Sequence, residues 1–260
     1  MIDLHAHLMP GVDDGAADDA EAGAALAALR GAGYEAVTAT PHLDASLVER
    51  AAAWDARLAA FDAAWERLCS LDEARMEGFT LHRGVELMLD VPEPTVDDRR
   101  VRLAGGSALL VEFPRIAVPP SMPAVLERLR SDGVLPVVAH PERYDVALAG
   151  GAAAWRAAGA ALAVNGRALL GAYGPTIRKT AVELLARGLV DLIATDWHAR
   201  GDHGATEVAK LLERSAGADA TRLLTVENPR RLLQGSPAER PPAIRIAAGL
   251  GDRLRGFLGG

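Results

Sequence analysis

The chain has 260 residues, of which 50% are hydrophobic, and a formal net charge of −7 at pH 7. This length favours one large α/β domain over two small ones, and the negative charge argues against binding to nucleic acid or an anionic membrane. No run approaches the ~20 apolar residues of a membrane span, and no secretion signal precedes the first apolar run, so we expect a cytoplasmic protein. Cys69 is the single cysteine, which excludes an internal disulfide.

Short apolar runs alternate along the chain with longer stretches of helical periodicity. The first predicted strand starts at Ile2, and the other six are Ala36–Thr40, Phe79–Glu86, Ala108–Phe113, Val134–Ala139, Ala160–Asn165 and Val190–Thr195. The predicted helices are Asp18–Ala32, Ser46–Arg75, Pro119–Ser131, Gly151–Gly159 and Pro175–Arg187, and the segment Glu207–Ser215 is still expected to be globular. Repeated βα units of this kind predict a parallel sheet with outer helices, either open or closed into a barrel.

The end of the chain has a different composition. A short helix is predicted to start at Asn228, as its cap, with Pro229 in the first turn. We assign residues 1–235 to the domain and residues 236–260 to a tail rich in Pro, Arg and Gly. The tail is predicted to form an amphipathic helix packed on the domain, although its arginines suit a partner surface as well. Its apolar positions are Ile244, Ile246, Leu250, Leu254 and Phe257.

Five of the seven histidines lie just past a predicted strand. They are His5, His7, His42, His140 and His198. In a barrel of parallel strands, the chemistry collects at the carboxyl ends of the strands. Histidines two apart on a strand leave the same face and can reach one metal ion. The positions therefore predict a metal site, whereas a lone His-x-His pair is as often a satisfied structural pair.

Four carboxylates complete this candidate site: Asp14, Glu86, Glu112 and Asp196. An ionised Glu112 between apolar neighbours needs a partner, and a cation would supply one. A single zinc ion takes three or four ligands, so nine candidates predict two or three divalent ions. Nitrogen and oxygen donors without thiolate suit Mn²⁺, Fe²⁺ or Zn²⁺. Asp3 is predicted to orient one of the imidazoles from behind.

An ordered series of motifs resembles the polymerase and histidinol phosphatase (PHP) superfamily. The motifs are MIDLHAHLMPGVDDG, TPH at 40–42, GVEL, LLVEFP, PVVAHPERY, VNGRALLGAYG and LLARGLVDLIATDWH. Within that superfamily they are most similar to the metal-dependent protein-tyrosine phosphatases of bacterial capsule and exopolysaccharide synthesis. The resemblance implies a distorted (β/α)7 barrel of PHP type and a three-metal cluster, often manganese.

The resemblance also implies roles for individual residues. His5 and His7 would hold one ion and Glu112 with His140 a second. Asp14, His42 and His198 would hold a third ion, and Glu86 and Asp196 would bridge. Arg143 stands where the family keeps its phosphate-binding arginine, although a surface pair with Glu142 is the alternative.

One position departs from the family pattern. The family's second arginine, seven residues after the motif aspartate, is His203 here, and Arg200 lies four residues after Asp196. Either residue is a candidate for substrate binding. Tyr144 and Phe113 are candidates for an aromatic rim around a phosphotyrosine ring and equally for packing.

The resemblance implies hydrolysis of phosphotyrosine on a protein, specifically on a bacterial tyrosine kinase of polysaccharide synthesis and export. A small-molecule phosphomonoesterase of the histidinol-phosphate type is the first alternative, and His203 in place of arginine favours it slightly. A metal-binding scaffold without turnover is the second. The complete set of nine candidate ligands argues against the scaffold.

Overall fold

The computed structural model describes residues 1–94, 96–114 and 116–246, and this part of the chain forms a mixed α/β fold with nine strands. The strands are β1 Ile2–Ala6, β2 Ala36–Ala39, β3 His42–Asp44, β4 Thr80–Arg83, β5 Glu86–Met88, β6 Ala108–Glu112, β7 Leu135–Ala139, β8 Ala161–Asn165 and β9 Leu192–Ala194. The helices are α1 Asp19–Gly31, α2 Ala51–Ser70, α3 Met122–Ser131, α4 Ala152–Ala157, α5 Gly166–Leu170, α6 Pro175–Ala186, α7 Ala205–Arg222 and α8 Asn228–Leu233.

The strands form two sheets, and every pairing is parallel. One sheet has the order β1-β2-β4 and the other the order β3-β5-β6-β7-β8-β9. The end of β1 also contacts the chain that leaves β9. The backbone N–H of His7 donates to the carbonyl of Trp197 and that of Asp196 to the carbonyl of His5, both at 2.8 Å. The predicted α/β class with a parallel sheet is therefore confirmed.

The central strands are apolar runs with both faces buried, as expected for a parallel sheet covered by helices. A small inner cluster gathers alternate strand residues from both sheets. Its members include Ile2, Leu4, Ala36, Leu110, Val137, Ala163 and Leu192. A larger cluster lies between the sheets and the helices, among them α2, which buries Trp54, Leu58 and Phe61. The core thus fixes the strands that position the histidines, of which His42 opens β3.

The predicted strand Phe79–Glu86 is two strands, β4 and β5, and Glu86 opens the second rather than closing the first. The break falls at Gly84, where a Cβ atom would lie 2.7 Å from the Leu103 side chain. Any larger residue at this position would require the Leu103 side chain to move. A further short strand, β3, follows Pro41, so the predicted seven strands become nine.

The predicted helix Ser46–Arg75 is also interrupted. Its middle is α2, flanked by short 3₁₀ turns over Ala45–Glu49 and Asp72–Arg75. Leu71 ends α2 because its backbone is extended, at φ −67° and ψ 142°. Cys69 on the last turn of α2 is a free thiol and half-buried.

Asn228 does not cap a new helix, because the chain enters α8 through a π-helical turn over Leu223–Glu227. Its buried amide instead donates to the carbonyls of Asp191 at 2.7 Å and Glu239 at 2.8 Å. These bonds tie the chain beyond α8 to the foot of β9.

The first part of the tail, residues 236–246, contains no helix or strand. Ile244 is buried, and its N–H donates to the carbonyl of Leu185 at the end of α6. This part therefore lies against the domain without forming a helix, and the amphipathic helix expected for the tail as a whole stays a prediction. Leu250, Leu254 and Phe257 lie outside the described residues. Within the described ranges, the helices are too short or too polar to cross a membrane.

Candidate metal centre

The carboxyl end of β1 brings two buried histidines together. The Nε2 atoms of His5 and His7 are 3.1 Å apart. Asp196 Oδ1 lies 3.3 Å from the first of these nitrogens and 3.4 Å from the second, and Glu86 Oε2 lies 3.2 and 3.4 Å from them. Two nitrogens and two carboxylate oxygens therefore face one small space.

A second group lies beside the first and nearer to solvent. His42 Nε2 and His198 Nε2 lie 3.5 and 3.4 Å from one oxygen of Asp14, whose side chain is exposed. The rings of His7 and His198 stack with their centroids 4.0 Å apart. His7 offers a ligand atom to this group as well as to the first.

The third group lies on the far side of Glu86. Glu86 Oε2 is 3.0 Å from His42 Nδ1, and Glu86 Oε1 is 2.8 Å from His140 Nε2. Glu112 reaches the same two rings, at 3.2 Å from His42 Nδ1 and 3.7 Å from His140 Nε2. All nine predicted ligands therefore converge, and Glu86 lies at the junction of the groups.

The donor atoms fit divalent metal ions. Within the described chain, Glu86 Oε2, Glu112 Oε2 and His42 Nδ1 are buried without an aligned hydrogen-bond partner. Buried polar atoms normally have one. Two atoms that each lie about 2.1 Å from an ion are at most roughly 4 Å apart, and the separations above lie within that limit. A divalent ion would satisfy lone pairs that face one another in this way, and oxygen and imidazole donors suit Mn²⁺, Fe²⁺ or Zn²⁺.

The electrostatics of the cluster show how strongly it favours positive charge. Burial alone would lower the pKa of His42, but the Glu112 and Glu86 carboxylates raise it to about 10. Burial would raise the pKa of Glu86, yet the surrounding histidines hold it well below its usual value. The anionic carboxylates therefore retain protons on imidazoles, and metal binding would displace those protons.

Asp13, which the sequence analysis did not select, orients two of these histidines. Its Oδ2 atom lies 2.8 Å from His7 Nδ1 and accepts the His42 backbone N–H at 3.2 Å. The turn that carries it folds back so tightly on β1 that a Cβ atom at Gly15 would lie 2.2 Å from the His7 carbonyl oxygen. Asp14, the next residue in this turn, is a predicted ligand, and no role was predicted for Asp13.

The predicted role of Asp3 behind an imidazole is wrong. Asp3 is fully buried, and one of its oxygens accepts the backbone N–H groups of His5 at 3.2 Å and Thr195 at 3.1 Å. Its other oxygen accepts the hydroxyl of Thr195. Asp3 therefore joins β1 to the chain after β9, and its hydrogen bonds go to backbone N–H groups and the Thr195 hydroxyl rather than to an imidazole ring.

Arg143 lies at the edge of the metal centre. It follows His140, whose backbone is left-handed at φ 35°, through a 3₁₀ turn over Pro141–Arg143. Its Nη2 atom donates to Asp196 Oδ2 at 2.5 Å, and its side chain is 17% exposed. The alternative of a surface pair with Glu142 is wrong, because Glu142 is buried and accepts the backbone N–H of Asn165.

The two substrate-binding candidates lie apart from each other. Arg200 Nη2 donates to the carbonyl of Gly15 at 2.9 Å, one residue from Asp14, so it stands at the mouth of the centre. His203 Nδ1 accepts the N–H of Ala205 at the start of α7, and its ring packs edge-on against Trp197. The structure brings Arg200, but not His203, against the turn that carries a predicted ligand.

Of the two roles open to Tyr144 and Phe113, the structure shows packing and not an aromatic rim, because both side chains are buried. They pack with Trp155, and the Tyr144 hydroxyl accepts the Phe113 backbone N–H at 2.8 Å. The half-buried aromatic ring beside the centre is Tyr173, which lies 5.0 Å from the Arg143 guanidinium. It comes from the loop after α5, where no strand-end signal marks it.

Asn165, at the end of β8, connects this ring to the metal centre. Its amide donates to the Tyr173 hydroxyl at 3.0 Å and to Asp196 Oδ2 at 3.2 Å. Asp196 Oδ2 thus accepts from both Asn165 and Arg143, while its Oδ1 faces His5 and His7. Like several of the predicted ligands, Asn165 is a polar residue at a strand end, but no role was predicted for it.

The chain is similar to known proteins over most of its length. Residues 1–234 match the family described as capsular polysaccharide synthesis, CpsB/CapC. The chain is 29% identical over 252 residues to the tyrosine-protein phosphatase YwqE of Bacillus subtilis, covering 93% of this chain and 95% of YwqE. It is 26% identical over 203 residues to the putative tyrosine-protein phosphatase CapC of Staphylococcus aureus, covering 76% of this chain and 77% of CapC.

A solved structure is similar over nearly the whole chain. It comes from the work on YwqE of Bacillus subtilis and CpsB of Streptococcus pneumoniae, described as unique metal-dependent tyrosine phosphatases. The TM-score is 0.76 at 25% sequence identity, and the match covers 95% of this chain and 99% of the other. The family match spans the strands, the converging histidines and Arg143, and the chain belongs to the CpsB/CapC family of capsular polysaccharide synthesis.

Proposed function

We propose that this protein is a metal-dependent phosphatase that hydrolyses phosphotyrosine on proteins. The observation that carries the proposal is the convergence of nine nitrogen and oxygen donors beside the Arg143 guanidinium. The relatives named as tyrosine-protein phosphatases support the choice of substrate class. They do not favour the histidinol-phosphate alternative, nor does the packing of His203 against Trp197.

The three groups of donors support an assignment of ligands. His5 and His7 would hold one ion, Glu112 and His140 a second, and Asp14, His42 and His198 a third. Glu86 and Asp196 would bridge, because each contacts donors of more than one group. Manganese is the metal we propose first, with Fe²⁺ or Zn²⁺ as alternatives and two or three ions in all.

We also propose that the two sheets form one distorted barrel of seven βα units. The inner cluster draws apolar side chains from strands of both sheets, which supports a shared interior. The hydrogen bonds between the end of β1 and residues 196–197 join the first and last strands. In such a barrel the metal centre lies at the carboxyl ends of the strands.

The mechanism follows from which groups face the reacting phosphate. Divalent ions in such a cluster supply a nucleophile from water near neutral pH and neutralise phosphoryl charge. Arg143 would turn from Asp196 to the non-bridging oxygens, where its donors stabilise the charge that develops during in-line attack. Asn165 would keep Asp196 in place during this movement. A phenolate leaving group, with a pKa of about 10, needs less help from an acid than an alkoxide does.

The substrate we propose is a phosphorylated bacterial tyrosine kinase of polysaccharide synthesis and export. The family description as capsular polysaccharide synthesis supports that setting. The cytoplasmic location expected from the sequence belongs to the same proposal. Arg200, at the mouth of the centre, is the first candidate for contact with the substrate around the phosphotyrosine. His203 is the second candidate for this contact.

The first test measures the metal content of the purified protein and its hydrolysis of a phosphotyrosine peptide, with and without Mn²⁺ and a chelator. We expect two or three ions per chain and phosphate release that the chelator abolishes. His5→Ala should lose metal and nearly all activity, whereas the matched control His82→Ala, in β4 away from the cluster, should keep both. Bound metal with turnover of histidinol phosphate and none of phosphotyrosine would refute the proposal.

A further inference from the structure

A cavity of about 220 Å³ lies at the opposite end of the strands from the metal centre. Leu135 and Pro136 at the start of β7, and Ala161 at the start of β8, line it. Leu135 lies five positions before His140 along β7, which corresponds to about 16 Å at ~3.3 Å per residue. The cavity is therefore distinct from the proposed active site.

Three arginines and one aspartate line this cavity: Arg130, Arg156, Arg240 and Asp191. Asp191 is already satisfied, because Arg156 donates to its Oδ1 at 2.6 Å and the Leu162 N–H to its Oδ2 at 3.0 Å. The other terminal nitrogen of Arg156, Nη1, donates to the carbonyl of Gly188. The aspartate therefore neutralises Arg156 and leaves two guanidinium charges at the cavity.

The Arg130 side chain lies against Gly159, where a Cβ atom would be 2.8 Å from its Cγ. Its guanidinium makes one long bond, at 3.5 Å, to the Val134 carbonyl. Arg240 is exposed and pairs with no carboxylate among the described residues. Two arginines with spare donors beside a cavity form a site for an anion with several acceptor oxygens.

Residues of the tail line one side of the cavity, and Arg240 is one of them. Pro237 and Ala238 line the cavity. Glu239, the neighbour of Arg240, exchanges two backbone hydrogen bonds with the Asn228 side chain, at 2.7 and 2.8 Å. The position of Arg240 is therefore fixed by the fold, although its side chain is exposed.

We propose that this cavity binds a small organic molecule that carries a phosphate group. Three guanidinium groups against one carboxylate give the cavity a formal net charge of +2, which matches the charge of about −1.5 to −2 on a phosphate monoester at pH 7. A carboxylate carries only half that charge. The apolar side chains of Leu135, Leu232 and Pro237 leave space for a short carbon chain. A cavity of this volume has room for such a molecule.

The test is calorimetric titration of the metal-loaded protein with ethylphosphonate, which the enzyme cannot hydrolyse. We expect Arg130→Gln and Arg240→Gln each to weaken one binding event at least tenfold. Arg245→Gln removes the same charge from an exposed position in the same segment that does not line the cavity, and it should leave the isotherm unchanged. Inhibition of phosphotyrosine hydrolysis by phosphate reports on the metal centre and should be the same in all variants.

Identical isotherms for the wild type and both cavity variants would overturn the proposal. An equal effect of Arg245→Gln would also overturn it, since the cause would then be general charge. Binding of inorganic phosphate as tight as that of ethylphosphonate would refute an organic ligand. Arg240 is exposed, so its substitution leaves the fold intact and the test remains decisive even if Arg130→Gln does not fold.

Discussion

Replacement of Arg143 by alanine separates phosphate binding from metal binding at this centre. The guanidinium donates to Asp196 Oδ2 at 2.5 Å, but Asp196 Oδ1 still faces His5 and His7 at 3.3 and 3.4 Å after the change. We therefore expect the metal content to stay at the wild-type level. A lost donor to developing phosphoryl charge costs about 3 kcal/mol, so kcat should fall roughly 10²-fold.

The same variant should affect the stability of the metal-free protein. Without metal, Asp196 is a buried carboxylate that loses a charged hydrogen-bond partner, which costs about 2 kcal/mol. Bound metal supplies the missing positive charge, so urea unfolding should show this loss only in the presence of a chelator. Arg167→Ala serves as the control, because Arg167 also lies over the Tyr173 ring, at 5.8 Å, and forms no ion pair with Asp196.

The assays are elemental analysis, steady-state hydrolysis of a phosphotyrosine peptide, and urea unfolding with and without metal. If Arg143→Ala emptied the centre of metal, the role of Arg143 in phosphate binding would be wrong. If Arg143→Ala had full metal content and the wild-type kcat, Arg143 would not stabilise the phosphoryl charge.

Three further substitutions test the structure around the centre. Asp13→Asn weakens the bond that orients His7, so metal affinity should fall 10- to 100-fold, as measured by competition with a chelating dye. Gly15→Ala places a Cβ atom against the His7 carbonyl, so both thermal stability and metal affinity should fall, and unchanged values would disprove the close approach. Phe113→Ala removes a buried ring that packs on Trp155, so urea unfolding should show a loss of about 3–5 kcal/mol. If Phe113→Ala instead lost activity and kept its full stability, Phe113 would contact the substrate, and its assignment to the core would be wrong.

The sequence predicted the α/β class and the metal-ligand candidates because both depend on local patterns. Apolar runs such as Ala108–Glu112 bury both faces and read directly as parallel strands. His5, His140 and Asp196 each follow such a run, and the carboxyl ends of parallel strands meet at one edge. Their convergence therefore followed from the order of the elements, without knowledge of any distance.

The tertiary structure alone decided the features that depend on contacts between distant segments. The strand break at Gly84 reflects the approach of Leu103, nineteen residues along the chain, and no local pattern marks it. The assignment of Asp13 and Asp14 to different roles depends on how the turn folds back onto β1.

The aromatic residues show the same division. Tyr144 follows a strand end, yet its hydroxyl is taken by Phe113 inside the core. Tyr173 comes from a loop, yet it lies under the Arg143 guanidinium. Residue type and spacing determine which groups can reach the end of a strand. Loops from different βα units pack against one another, and this packing decides which of these groups face the metal centre. The sequence does not show the direction of a loop side chain, because loops have no fixed periodicity.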